Sequence, residues 1–234
     1  MIETLKYSVS KRFPSLQTWK HRIEVNDKQK IFCIGFGKTG TTSLTKAFRD
    51  IGYRVGHQRK VIIFMREYAK RNFEPIIQFC KTAQVFQDNP FGLPYTFQAL
   101  DQAYPDSKFI LTVRDSAEQW YQSLINHHIK AFGKNGELPT RELYERMNKA
   151  PGLSRWEYEK LKFNTPENDI FDEKSLKSIY LDHIETVRDY FRYRKKDLLE
   201  INLSENNAYQ QFCDFLGEKP LYGRFPHLNK GSDL

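Results

Sequence analysis

The sequence predicts an α/β fold, a mainly parallel sheet flanked by helices. Short apolar runs take turns with segments whose apolar residues recur at helical spacing, the pattern of βαβ units. Strands separated by helices of this length imply parallel neighbours covered on both faces. The chain has 234 residues, 39% hydrophobic and 28% charged, with no internal repeat and no linker-like tract. Residues 1–234 are therefore expected to form a single domain around a sizeable core.

Ile31-Phe32-Cys33-Ile34, bounded by Gly35, is the first buried strand. Thr41 to Ile51 is a helix, with Leu44, Ala47, Phe48 and Ile51 on one face and Gly52 as its stop. Tyr53-Arg54-Val55 reads as a short second strand, and Lys60 to Lys81 as a mostly helical stretch interrupted at Pro75. Gln84-Val85-Phe86 is a third strand, ending at Asp88-Asn89-Pro90. Leu93 to Tyr104 carries Phe97, Leu100 and Tyr104 as a helical stripe. Lys108 to Val113 is the clearest strand, and Ser116 to Lys130 the clearest helix, with Asp115-Ser116 as its cap. Residues 133–171 are polar, aromatic and rich in turn formers, and are expected to be an insertion or lid of short helices over the core. A long helix over 173–194, a strand over 198–203 and a helix over 207–216 complete the pattern.

Composition narrows the function classes. The longest apolar run, Val61 to Met65, is far short of the ~20 residues of a membrane span. No apolar signal region opens the chain, so a secreted or membrane-spanning protein is not expected. Cys33, Cys80 and Cys213 are widely spaced, with no zinc-like spacing and no disulfide framework, which suits a reducing cytoplasm. The net charge of +8 is unevenly placed: residues 1–60 hold 13 Lys and Arg against Glu3, Glu24, Asp27 and Asp50. Such a field attracts anions, whether nucleic acid, an acidic membrane surface or a small phosphorylated ligand. The run Tyr190 to Lys196 has a basic-aromatic look, but cations at a helix end are explained by the dipole, and no nucleic-acid partner is expected.

In an open α/β sheet, ligands bind beyond the carboxyl ends of the strands. The junction after the first strand is Gly35-Phe36-Gly37-Lys38-Thr39-Gly40-Thr41-Thr42-Ser43. Its amides and the start of the helix make an anion site, to which Lys38 adds a charge and Thr41, Thr42 and Ser43 add hydroxyls. Gly35-x-Gly37-x-x-Gly40 matches the dinucleotide fingerprint, but the acid expected about 20 residues on is missing. Arg54, Arg59 and Lys60 stand in that region, which disfavours NAD and leaves an NADP oxidoreductase open. Gly35 and Gly40 also have the spacing of an ATP/GTP P-loop, but Thr41 occupies the place of its lysine, which disfavours a nucleotide kinase.

A strand, a glycine loop with an internal lysine, and Gly40-Thr41-Thr42-Ser43 opening a helix resemble the phosphosulfate-binding loop of PAPS-dependent sulfotransferases. The donor of that family is 3′-phosphoadenosine 5′-phosphosulfate. Its second signature is a strand ending in arginine with a serine on the next helix. Here Phe109 to Val113 runs into Arg114, and Ser123 lies nine residues on, one further than the commonest spacing. The stretch Ser107 to Leu124 and the tail Phe225 to Gly231 look like the bacterial branch of the family.

The resemblance implies a P-loop-like sulfotransferase architecture and transfer of a sulfuryl group from PAPS to a hydroxyl or amine acceptor. By the same resemblance Lys38 serves the bridging oxygen and the sulfuryl group. Gly37, Lys38, Thr39, Gly40, Thr41, Thr42 and Ser43 hold the 5′-phosphate, Arg114 and Ser123 the 3′-phosphate, and Lys230 and Gly231 form a C-terminal phosphate clasp. No metal is expected, because no carboxylate cluster stands out. Two residues compete as general base. Asp88 closes a strand, where it could equally be a turn residue ahead of proline, and His57 offers an imidazole, the side chain most often used as a general base. His127 and His128 read as surface or lid residues. The acceptor, a small molecule or carbohydrate, would sit among aromatics such as Tyr95, Phe97, Trp156, Tyr158, Phe163 and Phe171. A protein that binds the nucleotide without catalysis is the rival of a different class.

Overall fold

The computed structural model describes residues 23–163 and 165–226, apart from the side chains of Gln58 and Arg59. The centre is a four-stranded parallel sheet in the order β2-β1-β3-β6. Its strands are β1 (Ile31–Cys33), β2 (Val85–Phe86), β3 (Lys108–Thr112) and β6 (Leu198–Ile201). Ile31 stands opposite both Val85 and Lys108, and the β3–β6 register runs from Phe109–Leu198 to Thr112–Ile201.

Alternation along these strands builds two cores. Phe32, Ile34, Phe109 and Leu111 point to one side, Ile31, Cys33, Val85 and Ile110 to the other. The first side is covered by α5 (Thr96–Ala103), α6 (Ala117–Phe132) and α9 (Glu173–Tyr190), through Phe97, Leu100, Trp120, Leu124, Tyr180 and Val187. The second is covered by α1 (Thr41–Asp50) and α10 (Ala208–Leu216), through Leu44, Ala47, Phe48, Tyr209 and Phe212. Each of these large apolar side chains contributes about 1.5–3 kcal/mol by leaving water. Strands buried on both faces read in the sequence as unbroken apolar runs, and for that reason β1 and β3 were legible there. All three cysteines are buried and free. Among the described residues no helix is long and apolar enough to cross a membrane.

Several expected elements are shorter or differently built. The strand expected at Tyr53 to Val55 is reduced to one parallel bridge, Val55 to Val85. The stretch 60–81 is a chain of short helices, α2 (Gln58–Val61), a 3₁₀ turn, α3 (Met65–Ala69) and α4 (Glu74–Phe79). The break falls at Arg71, whose φ is 59°, and Pro75 lies in the first turn of α4. Proline suits that place because a first-turn amide has no helical partner. The expected helix from Leu93 begins at Thr96, after a left-handed Tyr95. The insertion 133–171 is also not all helical. Between α7 (Arg141–Arg146) and α8 (Arg155–Phe163) lies a small antiparallel hairpin, β4 (Asn148–Ala150) and β5 (Leu153–Ser154), turning at Pro151-Gly152.

The sheet order fixes the place of the site. From β1 the chain crosses to β2 on one side and then returns to β3 on the other. The crevice beyond the carboxyl ends of β1 and β3 is thus a topological switch point, where α/β sheets bind ligands.

Candidate active site

One cavity of about 960 Å³ opens at that point. Its floor is the glycine loop, residues 37–43, between β1 and α1. Two glycines are required by what surrounds them. A Cβ on Gly35 would stand 2.1 Å from Thr112 Oγ1 and 2.4 Å from Thr112 O, so only glycine lets the loop leave β1 against β3. Gly40 has φ 99° and caps α1 with no side-chain bond, leaving the first turn of the helix without a side-chain acceptor. The Thr39 side chain has a role within the fold. It is buried, and Oγ1 donates to Phe36 O at 2.6 Å and lies 2.5 Å from Thr112 Oγ1. Phe36 O can only accept, so Thr112 supplies the proton of the second bond. The Thr39 side chain thus braces the loop on β3.

Three further groups hold the loop from behind. His183 on α9 stacks on Phe36 and donates Nε2–H to Ile34 O at 2.8 Å, fixing the end of β1. Trp120 on α6 donates Nε1–H to Gly37 O at 3.0 Å. Arg114, just past β3, donates Nε–H to Lys38 O at 2.7 Å, while its own amide donates to the Tyr180 hydroxyl. Lys38 needs such support, because its φ of 77° is left-handed. Burial and the Arg114 guanidinium lower the Lys38 ammonium from its ordinary value, against the opposing pull of Asp88.

Arg114 therefore uses one nitrogen on the loop, and its two terminal nitrogens make no hydrogen bond among the described residues. Ser116 caps α6 by accepting from Gln119 N at 3.1 Å. From that start Ser123, His127 and Lys130 fall on one helical face, and all three line the cavity beside Arg114. The structure thus brings Gly37, Lys38, Thr39, Gly40, Thr41, Thr42, Ser43, Arg114 and Ser123 to one cavity. Lys230 and Gly231 lie outside the described residues. Phe225 and Pro226, just before them, line the cavity.

The two expected bases separate. Asp88 lines the cavity with φ 61°, and its Oδ1 accepts from the Asn89 amide at 2.9 Å. A Cβ on Gly37 would be 3.6 Å from that oxygen, so the carboxylate stands over the loop beside Lys38. His57 is exposed at the start of α2 and does not line the cavity. The structure also corrects the reading of His127 and His128 as surface or lid residues, since both stand on α6. His128 is buried with Nδ1 2.6 Å from the Tyr144 hydroxyl. His127 is a half-buried cavity wall whose pKa is pushed down to about 4 by burial, then by Lys38 and Lys162. Its four-residue distance from Ser123 would have placed it there from the sequence.

The opposite wall belongs to the insertion: Lys149 on β4 and Arg155, Tyr158, Glu159, Lys162 and Phe163 on α8. Glu159 is buried and pairs with Lys162 at 2.6 Å and Arg155 at 3.5 Å. Burial pushes its carboxyl up, but Lys162, His128 and Arg155 outweigh that and hold it below the ordinary range. The Asn89 side chain donates to the Tyr158 hydroxyl at 2.8 Å, tying this wall to the Asp88 turn. Of the aromatics expected around the acceptor, Tyr158 and Phe163 line the cavity, whereas Phe97 is core. Among the described residues no group of three His, Cys, Asp or Glu side chains is placed to hold a metal ion.

The cavity at the switch point is thus rich in cations. Lys38, Arg114, Lys130, Lys149, Arg155 and Lys162 line it together with Asp88 and Glu159. No curated protein matches the chain. Residues 30–234 match the sulfotransferase domain family. That match begins one residue before β1 and takes in the loop, Arg114 and residues 133–171 alike, so the chain belongs to the sulfotransferase domain family and its reaction class is sulfuryl transfer.

Proposed function

We propose that the protein moves a sulfuryl group from PAPS to a hydroxyl or amine of a small-molecule or carbohydrate acceptor and releases 3′,5′-ADP. The observation that carries this reading is the double role of Arg114. One nitrogen of its guanidinium is fixed to the Lys38 carbonyl, while the others stay available in the cavity beside Ser123. A donor with phosphates at both 5′ and 3′ positions needs two anion sites on one rigid frame, and the loop and Arg114 are such a pair.

The residues fit the donor chemically. The open first turn of α1 and Lys38 suit the phosphosulfate, and Arg114 with Ser123 suits the 3′-phosphate, with Lys230 and Gly231 as a further clasp. In the transfer, the acceptor oxygen or nitrogen attacks sulfur as the bond from sulfur to the 5′-phosphate oxygen breaks. The acceptor proton passes to Asp88, and the charge left on the leaving phosphate is met by Lys38 and the loop amides. Positioning and electrostatics do the work, as in phosphoryl transfer. We place the reaction in a reducing, cytoplasmic compartment, on the strength of three buried, unpaired cysteines.

Thermal shift with 3′,5′-ADP, ATP and NADPH in parallel tests the reading. Preferential stabilisation by 3′,5′-ADP is expected. A response to NADPH or ATP alone would sink it in favour of an oxidoreductase or kinase-like nucleotide site. Binding of 3′,5′-ADP without transfer from labelled PAPS to any member of an acceptor library would favour a protein that only binds.

A further inference from the structure

The lid wall holds more positive charge than the fold uses. Lys162 is satisfied by Glu159 at 2.6 Å. Arg155 reaches the same carboxylate only at 3.5 Å, lies 3.9 Å over the Phe132 ring, and keeps a buried Nε without a partner. Lys149 has no ion pair or hydrogen bond among the described residues. It is half-buried over the Tyr158 ring, 4.9 Å from the centroid. Burial and Arg155 lower its ammonium from the ordinary value. Glu159 thus pairs with two of the three cations, while Lys149 feels Glu159 and Asp88 from a distance and pairs with neither. Partly buried, uncompensated charge is costly unless a ligand neutralises it.

The donor already has its partners elsewhere, on the reading proposed above: the loop with Lys38, and Arg114 with Ser123. The lid cations stand at the Asp88 end, because Tyr158, beneath Lys149, is bonded to Asn89. On that reading, the acceptor lies between Asp88 and this wall. We infer that the acceptor is anionic, carrying a carboxylate, sulfate or phosphate next to the group that is sulfated, and that Lys149 and Arg155 hold that oxyanion. Tyr158 supplies the apolar face under it. Lys149 is then a specificity-determining residue, separate from the donor site.

Two matched pairs of acceptors test this: 4-hydroxyphenylacetate against its amide, and glucuronate against glucose. Each pair keeps the hydroxyl and changes the charge. Titration of the full-length protein with 3′,5′-ADP comes first. No binding there would overturn the donor reading, and this inference with it. With binding established, the anion of at least one pair should be the better substrate. Lys149→Gln should lower the anionic-to-neutral ratio of kcat/KM about tenfold, with the Kd of 3′,5′-ADP within about twofold. Lys149→Arg should keep the ratio and guards against a folding defect. Neutral acceptors preferred or equal in both pairs, or a ratio unmoved by Lys149→Gln, would overturn the inference while the donor reading stands. Should no acceptor turn over, the same pairs are titrated into the 3′,5′-ADP complex, where anions binding no tighter than their neutral partners would overturn it equally.

Discussion

Arg114→Ala removes two interactions that can be separated by ligand choice. The first is the bond from Nε to Lys38 O, 2.7 Å long, which holds a lysine in a left-handed conformation with φ 77°. For a residue other than glycine that conformation costs about 1–2 kcal/mol, and a charged donor to its carbonyl offsets about that much. The second is the pair of terminal nitrogens, available in the cavity for a 3′-phosphate. A charge-assisted contact of this kind contributes about 1.5–3 kcal/mol. Together they make about 3 kcal/mol of binding to 3′,5′-ADP, or roughly a 100-fold rise in Kd. Calorimetric titration with 3′,5′-ADP and with 5′-AMP resolves the two. The ligands differ by the 3′-phosphate alone, so 5′-AMP should lose only the loop-bracing share, about tenfold. Arg114→Lys keeps a charge without the Nε bond or the fork, and should fall between wild type and alanine. If Arg114→Ala leaves the preference of 3′,5′-ADP over 5′-AMP intact, the assignment of Arg114 to the 3′-phosphate is wrong.

Lys38→Ala should abolish transfer, measured with labelled PAPS, yet weaken 3′,5′-ADP by only about tenfold, since the loop amides and Arg114 still hold its two phosphates. Asp88→Asn should reduce the single-turnover rate by about 100-fold or more, whereas His57→Ala, exposed and outside the cavity, should stay near wild type; an active Asp88→Asn removes Asp88 as the base. Gly35→Ala should destabilise the protein by about 3 kcal/mol in urea unfolding, because the new methyl meets Thr112 O at 2.4 Å; an unchanged midpoint contradicts the close packing of the loop on β3. Stability should also fall as pH drops from 6.5 toward 4. Burial pushes His128 to about 3 and His183 to about 4, so the unfolded chain binds their protons first. Stability is then complete above the unfolded value and is lost below it, at up to about 1.4 kcal/mol per pH unit for each histidine. A urea midpoint that is flat between pH 7 and pH 5 would contradict this. For His183 the reason is local: Nε2–H already serves Ile34 O, and a proton on Nδ1 would be a buried donor without a partner.

The sheet and the glycine-loop side of the cavity were legible because their signals are local. β1 is an unbroken apolar run and β3 is centred on Phe109-Ile110-Leu111, with the loop and Arg114 close behind them in the chain. Parallel order then brings the two junctions together, since β1 and β3 are neighbours in register from Ile31–Lys108 to Cys33–Ile110. The charged part of the opposite wall was not legible, although Tyr158 and Phe163 were expected beside it. Lys149, Arg155 and Lys162 sit on a hairpin and a short helix whose periodicity says nothing about which distant strand end they cover. Their placement depends on long-range contacts such as Asn89 to Tyr158 and Arg66 to Glu157. The bracing role of the Thr39 side chain was not legible for a related reason, since only the packing of Thr112 against it reveals it.

Charge shows the same division between local and long-range information. The cation excess of the first sixty residues pointed to an anionic ligand, but three of its described members serve the fold instead. Lys30 is buried and donates to Ala83 O at 2.7 Å, Lys46 pairs with Asp50 at 2.7 Å, and Arg54 pairs with Glu24. Lys38 is the one described side chain of that group among the cavity cations, and the other five come from Arg114 to Lys162. A field summed over the sequence weighs every charge equally, whereas a surface ion pair is screened and contributes little. What acts on a ligand is the charge left uncompensated inside a low-dielectric cavity. By that measure Lys149, unpaired among the described residues on the wall opposite the loop, counts for as much as Arg114, in a stretch of chain whose composition gave no hint of it, and on the reading proposed above the acceptor is the ligand it serves.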